Sequence, residues 1–232
     1  MPTEPLEKRV VAFFDGQNLF HGAERAFGYR FLNCDPLKLA KHVCGLRASW
    51  KLMHARFYTG IPSAEYDPAL RAFWGAKLAQ MGRQGVVNYS RDLKYSPIEF
   101  ADGMGKTQVF YQPREKGVDL RLGIDAVVLG YQDQFDVALI FSQDQDFTEV
   151  VKELKAISVL KGRWIRTACA YLTDGHDPIH GAEPIEVNKA IYDACLDPRD
   201  YREGMAKAEK AAIDAGIYKP DRLPFNPPRF SN

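Results

Sequence analysis

The chain has 232 residues, 46% of them hydrophobic and 26% charged, which is enough apolar material to bury a core without metal or disulfide staples. That composition excludes a disordered chain and fits one globular domain, or a domain with a tail. Lys plus Arg number 31 and Asp plus Glu 30, a net charge of +1, so no global field draws the chain to nucleic acid or an anionic membrane, and any phosphate binding has to be local.

Residues 9–15 (RVVAFFD) form a β-branched and aromatic run that stops at a carboxylate and a glycine, the pattern of a buried strand ending in a loop. Helical spacing follows over 17–27 and 36–46, the second with Asp35 as an N-cap before Pro36. A strand at 50–59, a long helix at 68–83 and a strand at 86–90 continue the alternation of a parallel sheet. After Asp102 and its glycines, KTQVFYQ reads as an edge strand or hairpin, and 118–129 as a helix. DVALIFS at 136–142 is the clearest buried strand, followed by a helix at 147–160 and a strand at 167–172. Segments 183–195 and 205–215 have helical spacing, and the Pro-rich end, 219–232, reads as extended or loose. The expected organisation is an N-terminal segment (1–8), an α/β domain (9–196) and a helical, Pro-rich C-terminal extension (197–232).

The apolar runs fall far short of the roughly 18–20 residues that span a bilayer, and the polar start carries no signal-peptide core, so a soluble, cytoplasmic protein is expected. Cys34, Cys44, Cys169 and Cys195 show no CxxC spacing and read as reduced, buried small hydrophobes.

In an open parallel sheet, ligands bind beyond the carboxyl ends of the strands, where the strand order reverses. Asp15 closes the first strand, and Asp144 and Asp146 follow the strand at 136–142. Carboxylates exposed there suit a hard divalent cation such as Mg²⁺ or Mn²⁺, which takes oxygen ligands and keeps several waters. Asp119 stands at or just before the first turn of a helix, where it caps or faces outward; Asp125, six residues on, need not share its face.

Three motifs, FFDGQNLF at 13–20, KGVDLRLGID at 116–125 and FSQDQDF at 141–147, in that order resemble the NYN domain, the LabA-like branch of the PIN-like nuclease superfamily, over roughly residues 9–173. The resemblance implies a Rossmannoid three-layer α/β sandwich with a mostly parallel central sheet, and an acidic cluster that binds Mg²⁺ or Mn²⁺ and hydrolyses RNA. Asp15 matches the family's first-strand aspartate, Asn18 its companion in the turn, Asp119 the aspartate after K-G-V, and Asp144 and Asp146 the paired aspartates. Gln143 stands where the family commonly has glycine, and small residues are also frequent at Gln145, so these side chains are expected to narrow the site.

The implied chemistry is metal-assisted hydrolysis: a cation on Asp15, Asp119 and Asp144, with Asp146 direct or through water, polarises a phosphodiester and acidifies a bound water. Asn18 either orients a phosphate oxygen or that water, or satisfies its own turn. Lys94, Lys106, Arg114 and Lys116, with Arg91 nearby, are the candidate phosphate contacts, interspersed with Tyr89, Tyr95, Phe110 and Tyr111, which are able to stack on bases.

GMGKT at 103–107 lacks the first glycine of a phosphate-binding P-loop, and the chain has no G-x-G-x-x-G. His176 and His180 are four apart, but Pro178 between them marks a loop. Taken whole, the chain also resembles the NYN-type 6-hydroxy-3-succinoylpyridine 3-monooxygenases of bacterial nicotine breakdown. That likeness implies NADH as cofactor and a small pyridine as substrate, released as 2,5-dihydroxypyridine and succinic semialdehyde. A third reading is an RNA-binding or regulatory module without turnover.

Overall fold

The structure is a computed structural model, described for residues 2–29, 31–101 and 107–219. Its elements alternate as the sequence predicts. They are β1 (Lys8–Asp15), α1 (Gly16–Phe27), α2 (Pro36–Gly45), β2 (Trp50–Ile61), α3 (Pro68–Arg83), β3 (Val87–Asp92), β4 (Lys94–Ala101), β5 (Thr107–Arg114), α4 (Val118–Tyr131), β6 (Val137–Phe141), α5 (Thr148–Leu160), β7 (Arg166–Leu172), β8 (Glu183–Val187), α6 (Lys189–Ala194) and α7 (Arg202–Asp214). No helix among the described residues is long and apolar enough to cross a membrane.

The main sheet has the order β3-β2-β1-β6-β7-β8. Strand β1 pairs in parallel with β2 on one side and with β6 on the other, and β6–β7 and β7–β8 are parallel too. The chain therefore walks outward from β1 in one direction and then, from β6, in the other. Right-handed crossovers in opposite directions place the connecting helices on opposite faces, which makes the three layers. The reversal point lies between β1 and β6.

Both central strands are apolar throughout because both faces are covered. Val10 to Phe14 and all five residues of β6 are buried. Phe14 stacks on Phe141 with ring centroids 4.0 Å apart, and Phe13 meets Phe135 edge-on at 5.9 Å. At the opposite end of these strands the guanidinium of Arg9 clasps Asp136, with contacts of 2.9 and 3.0 Å, and Arg163 joins the same carboxylate at 3.4 Å.

Two elements differ from the sequence reading. Residues 183–195 are not one helix: 183–187 is the edge strand β8, and only Lys189–Ala194 is helical, capped by Asn188, whose side chain accepts the Ile191 N–H. Ile185 and Val187 point inward between exposed neighbours, a period of two that the helical spacing obscured. Residues 94–101 form a strand, β4, paired antiparallel with β5 in a separate two-stranded sheet. The GMGKT stretch lies at or beyond the edge of the described residues, apart from Thr107 at the start of β5.

The described residues pack into two compact units, each drawn from separate stretches of chain. The first holds residues up to Thr59, Gln80–Tyr89 and Asp119–Pro198; the second holds Gly60–Ala79, Ser90–Val118 and the described residues from Arg199 on. Within the second unit Tyr66 stacks on Tyr95 at 4.1 Å, Tyr201 meets Phe73 at 5.2 Å, and the Lys219 N–H donates to the Glu65 carbonyl at 2.7 Å. The rest of the Pro-rich end, 220–232, is outside the described residues.

Candidate functional site

Asp15, the last residue of β1, is only 4% exposed, and both of its oxygens are engaged. Oδ1 accepts the Asn18 N–H at 3.0 Å, which caps α1, and Oδ2 accepts the Ser142 hydroxyl at 2.8 Å. A buried carboxylate needs such donors. The turn is tight because residue 16 is glycine: a Cβ there would lie 2.7 Å from the Phe57 ring and 2.8 Å from the Tyr58 carbonyl oxygen.

Ser142 also accepts the Asp144 N–H at 3.2 Å, and Asn18 Oδ1 accepts the Gln143 N–H at 2.9 Å. The carboxyl ends of β1 and β6 are thus stitched together across the reversal point by Asp15, Asn18 and Ser142. The first two stand out in the sequence by motif, whereas Ser142 there marks only the end of a strand.

Beyond Ser142 the chain makes a single 3₁₀ turn, Gln145–Phe147, with Asp144 as its cap: Asp144 Oδ1 accepts the Asp146 N–H at 2.9 Å. Asp119 is the second residue of α4, at the positive end of that helix, after Gly117, whose φ of +78° only glycine adopts without strain. The Asp119 side chain reaches solvent, yet the surrounding wall strips part of its hydration. That desolvation first, and then repulsion from Asp144 and Asp146, hold its carboxyl above the ordinary range. Asp119, Asp144 and Asp146 are therefore close enough to feel one another's charge.

The donor chemistry, carboxylate oxygens in mutual repulsion, fits Mg²⁺ or Mn²⁺, which needs only one or two protein carboxylates beside its waters. Among the described residues no group of three or more His, Cys, Asp or Glu side chains is placed so that it could hold a metal ion, so any cation here would have only one or two protein carboxylates as ligands.

The two glutamines turn away from these carboxylates. Gln143 is buried, accepts the Leu172 N–H at 3.0 Å and donates to Asp174 and the His176 carbonyl at 2.9 and 2.7 Å. Gln145 accepts the His180 N–H at 3.1 Å and donates to the Pro178 carbonyl at 3.2 Å. Both side chains hold the loop after β7, where with His176 and His180 they line a cavity of about 480 Å³. His176 leans on Asp174 at 3.2 Å, and Asp174 is clasped by Arg25 at 2.6 Å.

Asp125 proves to be a structural anchor: its oxygens accept from Arg56 and Tyr58, both at 2.8 Å, and from Arg121 at 2.7 Å. Burial alone would raise its carboxyl, but these donors win and pull it below the usual range. Of the candidate phosphate contacts, Lys94 and Arg114 face each other in the β4–β5 register, and Lys116 lends its carbonyl to Arg91 at 3.2 Å, all in the second unit. Lys106 lies outside the described residues.

A parallel sheet with covered faces and carboxylates gathered at its reversal point defines a PIN-like nuclease-type fold. The chain belongs to the NYN domain family, whose model matches residues 9–160. No curated protein matches it. A solved structure of a protein of unknown function from Vibrio parahaemolyticus is similar at 16% identity with a TM-score of 0.47, covering 81% of this chain and 96% of that one.

Proposed function

We propose that this protein hydrolyses phosphodiester bonds of RNA with Mg²⁺ or Mn²⁺ at the reversal-point carboxylates. The observation that carries this reading is the placement of Asp119 in the first turn of α4 and of Asp144 and Asp146 in the turn just past β6, where their charges repel. Such repulsion costs stability unless a cation offsets it, and membership of the NYN family supports RNA as the substrate class.

Asp119 and Asp144 would hold the cation, with Asp146 direct or through water and Asp15 tied to the same turn through Ser142. When bound, the cation supplies a polarised phosphoryl oxygen and an acidified water. The chain's own residues do the rest. Ser142 and the Asn18 N–H fix the Asp15 carboxylate in one orientation, and Asn18 Oδ1 fixes the backbone of the turn that presents Asp144 and Asp146. Asp144 in turn holds Asp146 through its N–H. Asn18 therefore acts as a positioning residue.

Incubation of labelled single-stranded RNA with Mn²⁺ tests the reading: the native protein cleaves and Asp144→Asn does not. Absence of cleavage by either overturns it. NADH oxidation that depends on a hydroxypyridine would instead assign the hydroxylase, and RNA binding without cleavage the regulatory module.

A further inference from the structure

Helix α4 carries Leu120, Ile124 and Val128 at successive i, i+4 positions, 67%, 48% and 43% exposed. A helix normally turns such a stripe to the core, and a soluble surface seldom leaves one uncovered. The stripe forms one wall of a groove of about 570 Å³ between α4 and α5, to which Phe147 and Val150 contribute. Every charged residue lining it is acidic: Asp119 and Asp146 at one end, and along α5 Glu153 and Glu149, the latter ion-paired at 2.6 Å with Lys152 of the same helix, on an exposed pair that a partner's cation can exchange.

We propose that this groove docks an amphipathic basic helix of a protein partner. An apolar floor between two helices matches helix-in-groove recognition, in which anchors at i, i+3 or i+4, and i+7 fill the trough. The all-acidic rim selects Lys or Arg on the partner's flanks. It also disfavours a second copy of this chain, because a twofold contact sets the same patch against itself, carboxylate against carboxylate. A polyanionic RNA strand meets the same repulsion. The groove ends on Asp119 and Asp146, so a docked cationic side chain would occupy the carboxylates that the cleavage reading assigns to the cation; the docking itself does not depend on that reading.

The probe is a fluorescein-labelled Leu/Lys peptide of 14 residues, the length of α4, patterned as an amphipathic helix and titrated onto the full-length protein by anisotropy. Controls are the same composition scrambled and a Leu/Glu version. We expect the amphipathic basic peptide to bind at least about tenfold more tightly than either control. Ile124→Asp and, separately, Glu149→Gln with Glu153→Gln should each weaken it by about tenfold, with unchanged circular dichroism and melting temperature. Equal binding of the scrambled peptide, or indifference to Ile124→Asp, overturns the proposal. A native dimer that Ile124→Asp dissociates replaces it with self-association. Single-stranded RNA whose binding falls on Ile124→Asp, with no peptide binding, makes the groove a nucleic-acid subsite instead. Because no step requires cleavage, failure here is separable from failure of the ribonuclease reading.

Discussion

The carboxamide oxygen of Asn18 accepts the backbone N–H of Gln143 at 2.9 Å, joining the first turn of α1 to the acidic turn after β6. Asn18→Ala leaves that N–H without its acceptor in a part-buried position, which costs about 1–2 kcal/mol. The acidic turn should loosen, so Mn²⁺ affinity measured by calorimetry falls. Asn18→Asp keeps an acceptor and should restore most of the stability; equal losses in both variants would show that the bond does not position the turn.

Gln143→Gly, which installs the residue common in the family, removes a side chain that bonds Leu172, Asp174 and His176. Expected is a loss of about 2–3 kcal/mol in stability, faster hydrogen exchange over 172–180, and no gain in cleavage. A more active and equally stable variant would mean that the glutamine obstructs the site after all.

Asp119 has a raised carboxyl pKa, first from desolvation and then from Asp144 and Asp146. The native state therefore holds this proton to higher pH than the unfolded chain, and stability falls as pH rises from the unfolded value, about 3.9, through the folded one. Asp119→Asn should stabilise the protein at neutral pH, by about 0.5 kcal/mol after solvent screening, and by nothing in strong acid. That corresponds to roughly 1–2 °C in melting temperature. Mn²⁺ at about ten times its Kd should stabilise the native protein by about 1.4 kcal/mol and the variant by less. A variant that melts lower at neutral pH would contradict the charge crowding.

Asp136 shows the opposite sign. Burial works to raise its carboxyl, but hydrogen bonds from Arg9 and the charge of Arg163 hold it below the usual range. Its contribution is present above the unfolded value, about 3.9, and is lost as pH falls through the folded one. Asp136→Asn should cost about 2 kcal/mol at pH 7, less than a fully buried pair because Arg9 is partly exposed, and the cost should vanish in strong acid. Urea midpoints across pH measure both limits.

The main sheet was legible because its central strands are apolar on both faces, so RVVAFFD and VALIF stand out without reference to period. Strand β8 did not, since EPIEV is mostly polar and its inward residues, Ile185 and Val187, are only two. Strand β4 was hidden by Pro97, which breaks a central ladder yet is tolerated in a two-stranded hairpin. At the site, the aspartates stand out by motif and by their place at strand ends. The partners that hold them did not show: Ser142 lies 127 residues from Asp15, and nothing in local pattern reveals which hydroxyl a distant carboxylate will meet. The glutamines misled for a related reason. Side-chain size is written in the sequence, but direction is decided by the β7 backbone that Gln143 reaches.

The same separation sets a clock on the newborn chain. At roughly 5–20 residues per second, synthesis of the stretch between Asp15 and Ser142 takes on the order of ten seconds. Once β2 has been made, β1 has that neighbour but still lacks β6, and one apolar flank of the nascent sheet stands open. Arrival of VALIF closes that flank and delivers the hydroxyl that Asp15 needs in one event. A ribosome stalled shortly before Val137 should therefore display a sticky, carboxylate-tipped edge, the state in which this chain most needs a chaperone.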